Sequence, residues 1–112
     1  MSLATLFNPP PRTPQALSEF TFSNMADHLE ISNAILLQKK VTIVNLALDP
    51  LDPNALEVWL LNHQAMHVQQ TGALNIAGQD FSTLALNNPA EMAEWFFDHA
   101  TEHRNMRSVL GI

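Results

Sequence analysis

Large residues in the last quarter of the chain recur every three or four positions. Met92, Trp95, Phe96, Met106 and Leu110, with His99 and His103 between them, fall on one face of a helix. The same stripe runs through Leu56, Trp59, Leu60, His63, His67 and Leu74. Aligning Trp59–Ile76 on Trp95–Ile112 superposes the Trp, both His, a Leu and the final Ile. Ahead of each stripe stands a capping side chain followed by proline, Asp52-Pro53 and Asn88-Pro89. This pair marks a helix start, because the side chain accepts from orphan N–H groups and proline lacks one to lose.

The template extends back to Thr13-Pro14. Counting from Pro14, Pro53 and Pro89, an apolar residue comes first (Leu17, Leu56, Met92) and then an aromatic (Phe20, Trp59, Trp95). A polar position follows (Asn24, His63, His99), next a histidine (His28, His67, His103), and finally Ile35, Leu74 and Leu110. The pattern predicts helices over 14–38, 53–74 and 89–110, with Gly111 ending the third and Asn75, near Gly78, ending the second. Gly72 inside the second weakens it by about 1 kcal/mol relative to alanine.

The connections at Lys40–Leu51 and Asn75–Asn87 hold about a dozen residues each, more than the roughly 2–8 usual between antiparallel helices. A dozen extended residues travel back along a helix of about 33 Å, which would let all three helices run in one direction. The Leu-Ala-Leu at Leu46–Leu48 and again at Leu84–Leu86 supplies apolar contact for such a return, and VTIVNLAL suits an extended or short β segment. The expected fold is all-α: a pseudo-three-fold three-helix bundle from three degenerate repeats (13–39, 52–76, 88–112), with extended linkers. An antiparallel bundle with loose loops is the alternative. Residues 13–112 form one domain; residues 1–12 form an extended, proline-rich N-terminal arm whose Leu3, Leu6, Phe7, Pro9, Pro10 and Pro11 are candidates to grip a partner.

The composition narrows the function. Five Lys and Arg against eleven Asp and Glu, a net charge of −6, argue against nucleic acid. The lack of cysteine excludes disulfides, thiolate catalysis and cysteine-ligated zinc. No apolar run approaches the ~18 residues of a membrane span, and the N-terminus lacks a signal-peptide pattern. Three glycines offer no phosphate loop, and nothing marks a small-molecule substrate site or a nucleophilic triad. At 14% charged residues, below the usual quarter, much of the surface is expected to be covered by something else.

The histidines carry the remaining chemistry. His63/His67 and His99/His103 have i, i+4 spacing, which puts two imidazoles on one helix face. In parallel helices His28, His67 and His103 would share one height, a set suited to zinc or a similar divalent ion, with His63 and His99 as a second layer. The other reading makes all five buried core residues, bonded to backbone or to each other. In its favour, no carboxylate shares their stripe: Asp27 and Asp98 sit one position round the helix. His99-x-x-Glu102-His103 matches the inverted zincin pattern, but Met66 stands where Glu102 does in the sister segment. Met25, Met66, Met92 and Met106 read as core filler, and Glu30, Glu57, Glu91 and Glu94 as solvated faces.

The repeated W-x-x-x-H-x-x-x-H, the LDPLDP at Leu48–Pro53 and the IAGQDF at Ile76–Phe81 together resemble a group of small tailed-bacteriophage proteins, over residues ~48–112. The resemblance implies a structural or accessory component of a virion, in the capsid, head–tail connector or tail. Such a protein would be assembled in the host cytoplasm in many copies and bind other virion proteins without catalysis or cofactor. Phe20 and Asn24 replace the Trp and first His of the motif in the first segment.

Overall fold

The computed structural model describes residues 14–44, 55–85 and 87–112. Three helices, α1 (Pro14–Lys39), α2 (Leu56–Leu74) and α3 (Pro89–Leu110), pack against one another in an all-α bundle. Among the described residues no strand forms, and no helix is long and apolar enough to cross a membrane.

The helix ends follow local chemistry. Asn88 caps α3 by accepting from the Glu91 N–H at 3.2 Å, with Pro89 in the first turn. Asn75 and Gly111 both take the left-handed conformation, at φ 56° and 71°. Each is followed by an isoleucine whose N–H reaches back to the carbonyl of the residue five before it, Ile76 to Thr71 and Ile112 to Arg107. Helix α2 is described from Leu56, and Ala55 before it makes no side-chain cap. The expected Asp52-Pro53 start, the Leu46–Leu48 patch and the arm residues Leu3, Leu6, Phe7, Pro9, Pro10 and Pro11 lie outside the described residues.

All three helices run in the same direction. Their N-terminal halves meet in one apolar cluster of Phe20, Trp59, Leu60, Phe81, Trp95 and Phe96. Their C-terminal halves meet in another, of Ile31, Ile35, Ile43, Met66, Leu74, Met106 and Leu110. At the far end the Gln38 side chain of α1 donates to the Leu110 carbonyl of α3 at 2.6 Å. Only a long return can join such helices, and the α2–α3 connection makes one: Ile76 packs on the C-terminal cluster, Phe81 and Leu84 on the N-terminal one. Four side-chain bonds strap it down. Gln64 accepts from Phe81 N–H at 2.7 Å and donates to the Gln79 carbonyl at 3.2 Å. Glu102 accepts from Gln79 N–H at 2.8 Å, and the Trp95 indole donates to the Phe81 carbonyl at 3.3 Å. In the first connection Gln69 bonds both the N–H and the carbonyl of Val44, at 2.9 and 3.1 Å.

The two apolar clusters leave a polar stratum between them. Burying it costs free energy unless every polar group finds a partner. That stratum holds the histidines.

Candidate metal centre

Parallel packing brings equal template positions to equal heights. Asn24, His63 and His99 form one layer; His28, His67 and His103 form the next. All five histidines are at most 1% exposed, and one ring nitrogen from each lies within 4.8 Å of those of the other four. Within the group, His63 Nε2 is 3.0 Å from both His99 Nε2 and His67 Nε2. For an ion bonded at about 2.1 Å, neighbouring donors sit ~3.0 Å apart and opposite ones ~4.2 Å. The 4.8 Å limit on the widest pair exceeds the opposite-donor spacing by about 0.6 Å, the most by which the cluster would have to contract.

The carboxylates thought to be missing are supplied by neighbouring helices. Asp27 and Glu102 each precede a histidine, so each projects sideways from the stripe, and in a parallel trio sideways means toward the next helix. Asp27 on α1 accepts from His103 Nδ1 of α3 at 2.7 Å. Glu102 on α3 accepts from His67 Nδ1 of α2 at 2.5 Å. The third member of this cycle would be Met66 on α2, which has no oxygen. Gln70, one turn further along α2, replaces it and accepts from His28 Nδ1 of α1 at 2.7 Å. The sequence missed these three acceptors. Their signal was the shared position of Asp27, Met66 and Glu102, one residue before each histidine, which gains meaning only once the helices are parallel.

These bonds fix the tautomers. Carboxylates accept only, so His67 and His103 carry their proton on Nδ1. The Gln70 amide is oriented because its Nε2 donates to the His28 carbonyl and to Ser32 Oγ, both at 2.9 Å, which leaves its oxygen for His28 Nδ1–H. In the neutral ring this leaves the Nε2 lone pair of His28, His67 and His103 facing the interior. The single hydrogen His63 can carry on Nε2 serves only one of its neighbours, His67, His99 or Asn24 Oδ1 (3.3 Å). Among the described residues His28 Nε2 and His103 Nε2 have no hydrogen-bond partner. Several buried lone pairs converge where protons are too few to bridge them.

Electrostatics keeps four of the rings in the ligating form. Burial is the main cause holding His28, His63, His67 and His99 well below the ordinary imidazole pKa, and neighbouring histidines lower them further. Burial pushes the Glu102 carboxyl up. Asp27 is also engaged by Arg107 Nη1 at 2.8 Å, which reaches Glu30 at 3.0 Å. A doubly charged cation at the centre would be matched by the two carboxylates, each one imidazole away.

Aromatic rings close the site. Trp59 stacks on His63 (centroids 4.7 Å, planes 16° apart) and Trp95 on His99 (5.0 Å, 12°), each one turn earlier on its helix. Phe81, on the strap, lies 5.0 Å from His67 and 5.5 Å from His99. Among the described residues His63 Nδ1 and His99 Nδ1 have no hydrogen-bond partner. In the zincin-like pattern Glu102 would serve as a base; here one of its oxygens accepts from His67 Nδ1 and the other from Gln79 N–H, so the carboxylate is tied to a histidine and to the strap.

No protein-family model, curated protein or solved structure matches the chain.

Proposed function

We propose that this chain is a metal-binding helical protein in which His28, His63, His67, His99 and His103 hold one divalent first-row transition ion through Nε2. The observation that carries the reading is the set of three imidazoles whose Nδ1–H groups are tied to Asp27, Glu102 and Gln70. Ring N–H groups donated outward to carboxylate or amide oxygens are the usual outer support of histidine ligands, fixing tautomer and orientation together. An all-imidazole donor set favours zinc, copper, iron, nickel or cobalt over the oxygen-seeking magnesium and calcium. Five donors exceed the four of an ordinary structural zinc site, which favours nickel, cobalt or iron(II). Ring donors on every side, stacked indoles and Phe81 make the site closed. The ion's role is to tie three parallel helices together, not to activate a substrate.

The test is titration of chelator-treated protein with cobalt(II) and nickel(II), followed by visible absorption and by quenching of Trp59 and Trp95. The expected result is saturation at one equivalent, lost in a His67→Ala/His103→Ala variant. Failure to bind at micromolar concentration would remove the reading.

A second reading, a structural or accessory virion protein that binds neighbours without catalysis, is favoured by exposed apolar side chains such as Leu37 and Phe97, both 72% exposed. The two readings are compatible, since a metal-tied bundle would be a rigid assembly unit. Loss of particle incorporation on deleting residues 1–12, with metal binding intact, would support it; unchanged incorporation would not.

A further inference from the structure

The face of α2 turned away from the histidines carries its own pattern. Val58, Leu61, Ala65, Val68 and Gly72 are spaced 3, 4, 3, 4, the a/d seam of a coiled coil. The inward set is distinct: Trp59, Leu60, His63, Met66, His67, Gln70, Thr71 and Leu74 are the buried residues of this helix. On the outer seam Val58, Leu61 and Val68 are 61%, 58% and 58% exposed, and no other described element covers them. Val44, 62% exposed and held beside α2 by Gln69, extends the apolar strip.

We propose that this seam is a self-association surface on which α2 of a second copy of this chain docks around a two-fold axis. Charge selects a second copy. The chain carries a net −6, so two copies repel wherever acidic faces meet. Yet after Glu57 helix α2 has no charged residue through Leu74, its histidines being buried. It is therefore the helix on which two acidic molecules approach at least electrostatic cost. Past Glu57, which borders Val58, the positions flanking the seam are also uncharged. Asn62, Gln64 and Gln69 lack the complementary charges with which coiled coils choose a different partner.

A small residue supports the same occupant. Gly72 sits in the last turns of the helix with a backbone any residue could adopt, and a Cβ built there would meet nothing within 4 Å. Against a second helix Ala65 is the small residue that allows close backbone approach, while Gly72 lies past the end of the paired stretch. In an antiparallel pair Leu61 of each copy faces Ala65 of the other, and Val58 faces Val68. Bulk then alternates with space along a self-complementary seam. The inference does not rest on metal binding, because the seam lies on the opposite side of α2.

Sedimentation equilibrium of the full chain tests it, alone and as Leu61→Glu/Val68→Glu, with Leu61→Gln as the milder variant. The expected wild-type species has twice the 12.5 kDa chain mass. Both variants should weaken the dimer, the double by about tenfold or more, with unchanged helical circular dichroism. Because the chain has no cysteine, Ala65→Cys should give a covalent dimer with a short bismaleimide, whereas Asn105→Cys on α3 should not. A wild-type chain that stays monomeric at about 100 µM would overturn the proposal. So would a dimer indifferent to the seam substitutions, or a monomer that dimerises only after deletion of residues 1–12, which would make the arm the occupant.

Discussion

Replacing Glu102 by glutamine keeps the side chain's size and removes its charge. The native carboxylate accepts from His67 Nδ1–H and from Gln79 N–H, and a glutamine has only one oxygen for the two donors. If His67 ligates an ion, its ring loses both its anchor and the negative charge that raises its basicity. Loss of such a support lowers metal affinity about 10- to 100-fold, or roughly 1.4–2.7 kcal/mol. The metal-free protein should respond differently. Burial disfavours the Glu102 charge, so removing it offsets part of the lost hydrogen bonding, and the chelated variant should melt within about 1–2 kcal/mol of wild type. The assay is a cobalt(II) competition titration at pH 7.5, paired with thermal melts with and without chelator. An affinity within twofold of wild type, or equal losses of stability with and without metal, would refute the reasoning that Glu102 acts on an ion through His67.

Three further outcomes follow from the same geometry. The chelated protein should lose stability as pH falls: His28, His63, His67 and His99 have folded pKa values below their unfolded ones, so the unfolded chain binds more protons. This stability is fully present above ~6.5 and is lost below it by up to about 1.4 kcal/mol per pH unit for each ring, so denaturant midpoints from pH 7.5 to 5 should fall steeply. Phe81 separates the histidines from an open cleft of about 490 Å³ whose walls include Asp80, Glu91, Glu94 and Asp98. Phe81→Ala should therefore speed chelator extraction of cobalt about tenfold or more in stopped-flow traces while changing equilibrium affinity far less. Met106, fully buried in the C-terminal cluster, should cost about 2–5 kcal/mol as Met106→Ala, in urea melts with or without metal, and leave the stoichiometry unchanged.

The sequence was most legible where a signal is local. Pro89 after Asn88, Asn75 and Gly111 mark helix ends through their own backbone chemistry, and the observed bounds Pro14–Lys39 and Pro89–Leu110 differ from the expected ones by at most one residue. The 3–4 spacing placed all five histidines on inward stripes because burial follows helical phase. Helix direction needed more, since linker length allows a parallel return without requiring it. The acceptors Asp27, Glu102 and Gln70 were hidden for a related reason. Each serves a histidine on another helix, 76, 35 and 42 residues away in sequence, and periodicity within one helix carries no information about its neighbour. The outer seam of α2 was present in the letters but masked by the inner stripe, and it stood out only once burial separated the two faces.

The most direct test of the central claim is native mass spectrometry with elemental analysis of the purified protein, before and after chelation and readdition of nickel(II) or cobalt(II). The account predicts one transition ion per chain, held by wild type, lost with a substantial fall in melting temperature, and restored at one equivalent. A chain that carries no ion, takes none up and melts identically in chelator would contradict it, leaving the five histidines as core residues alone.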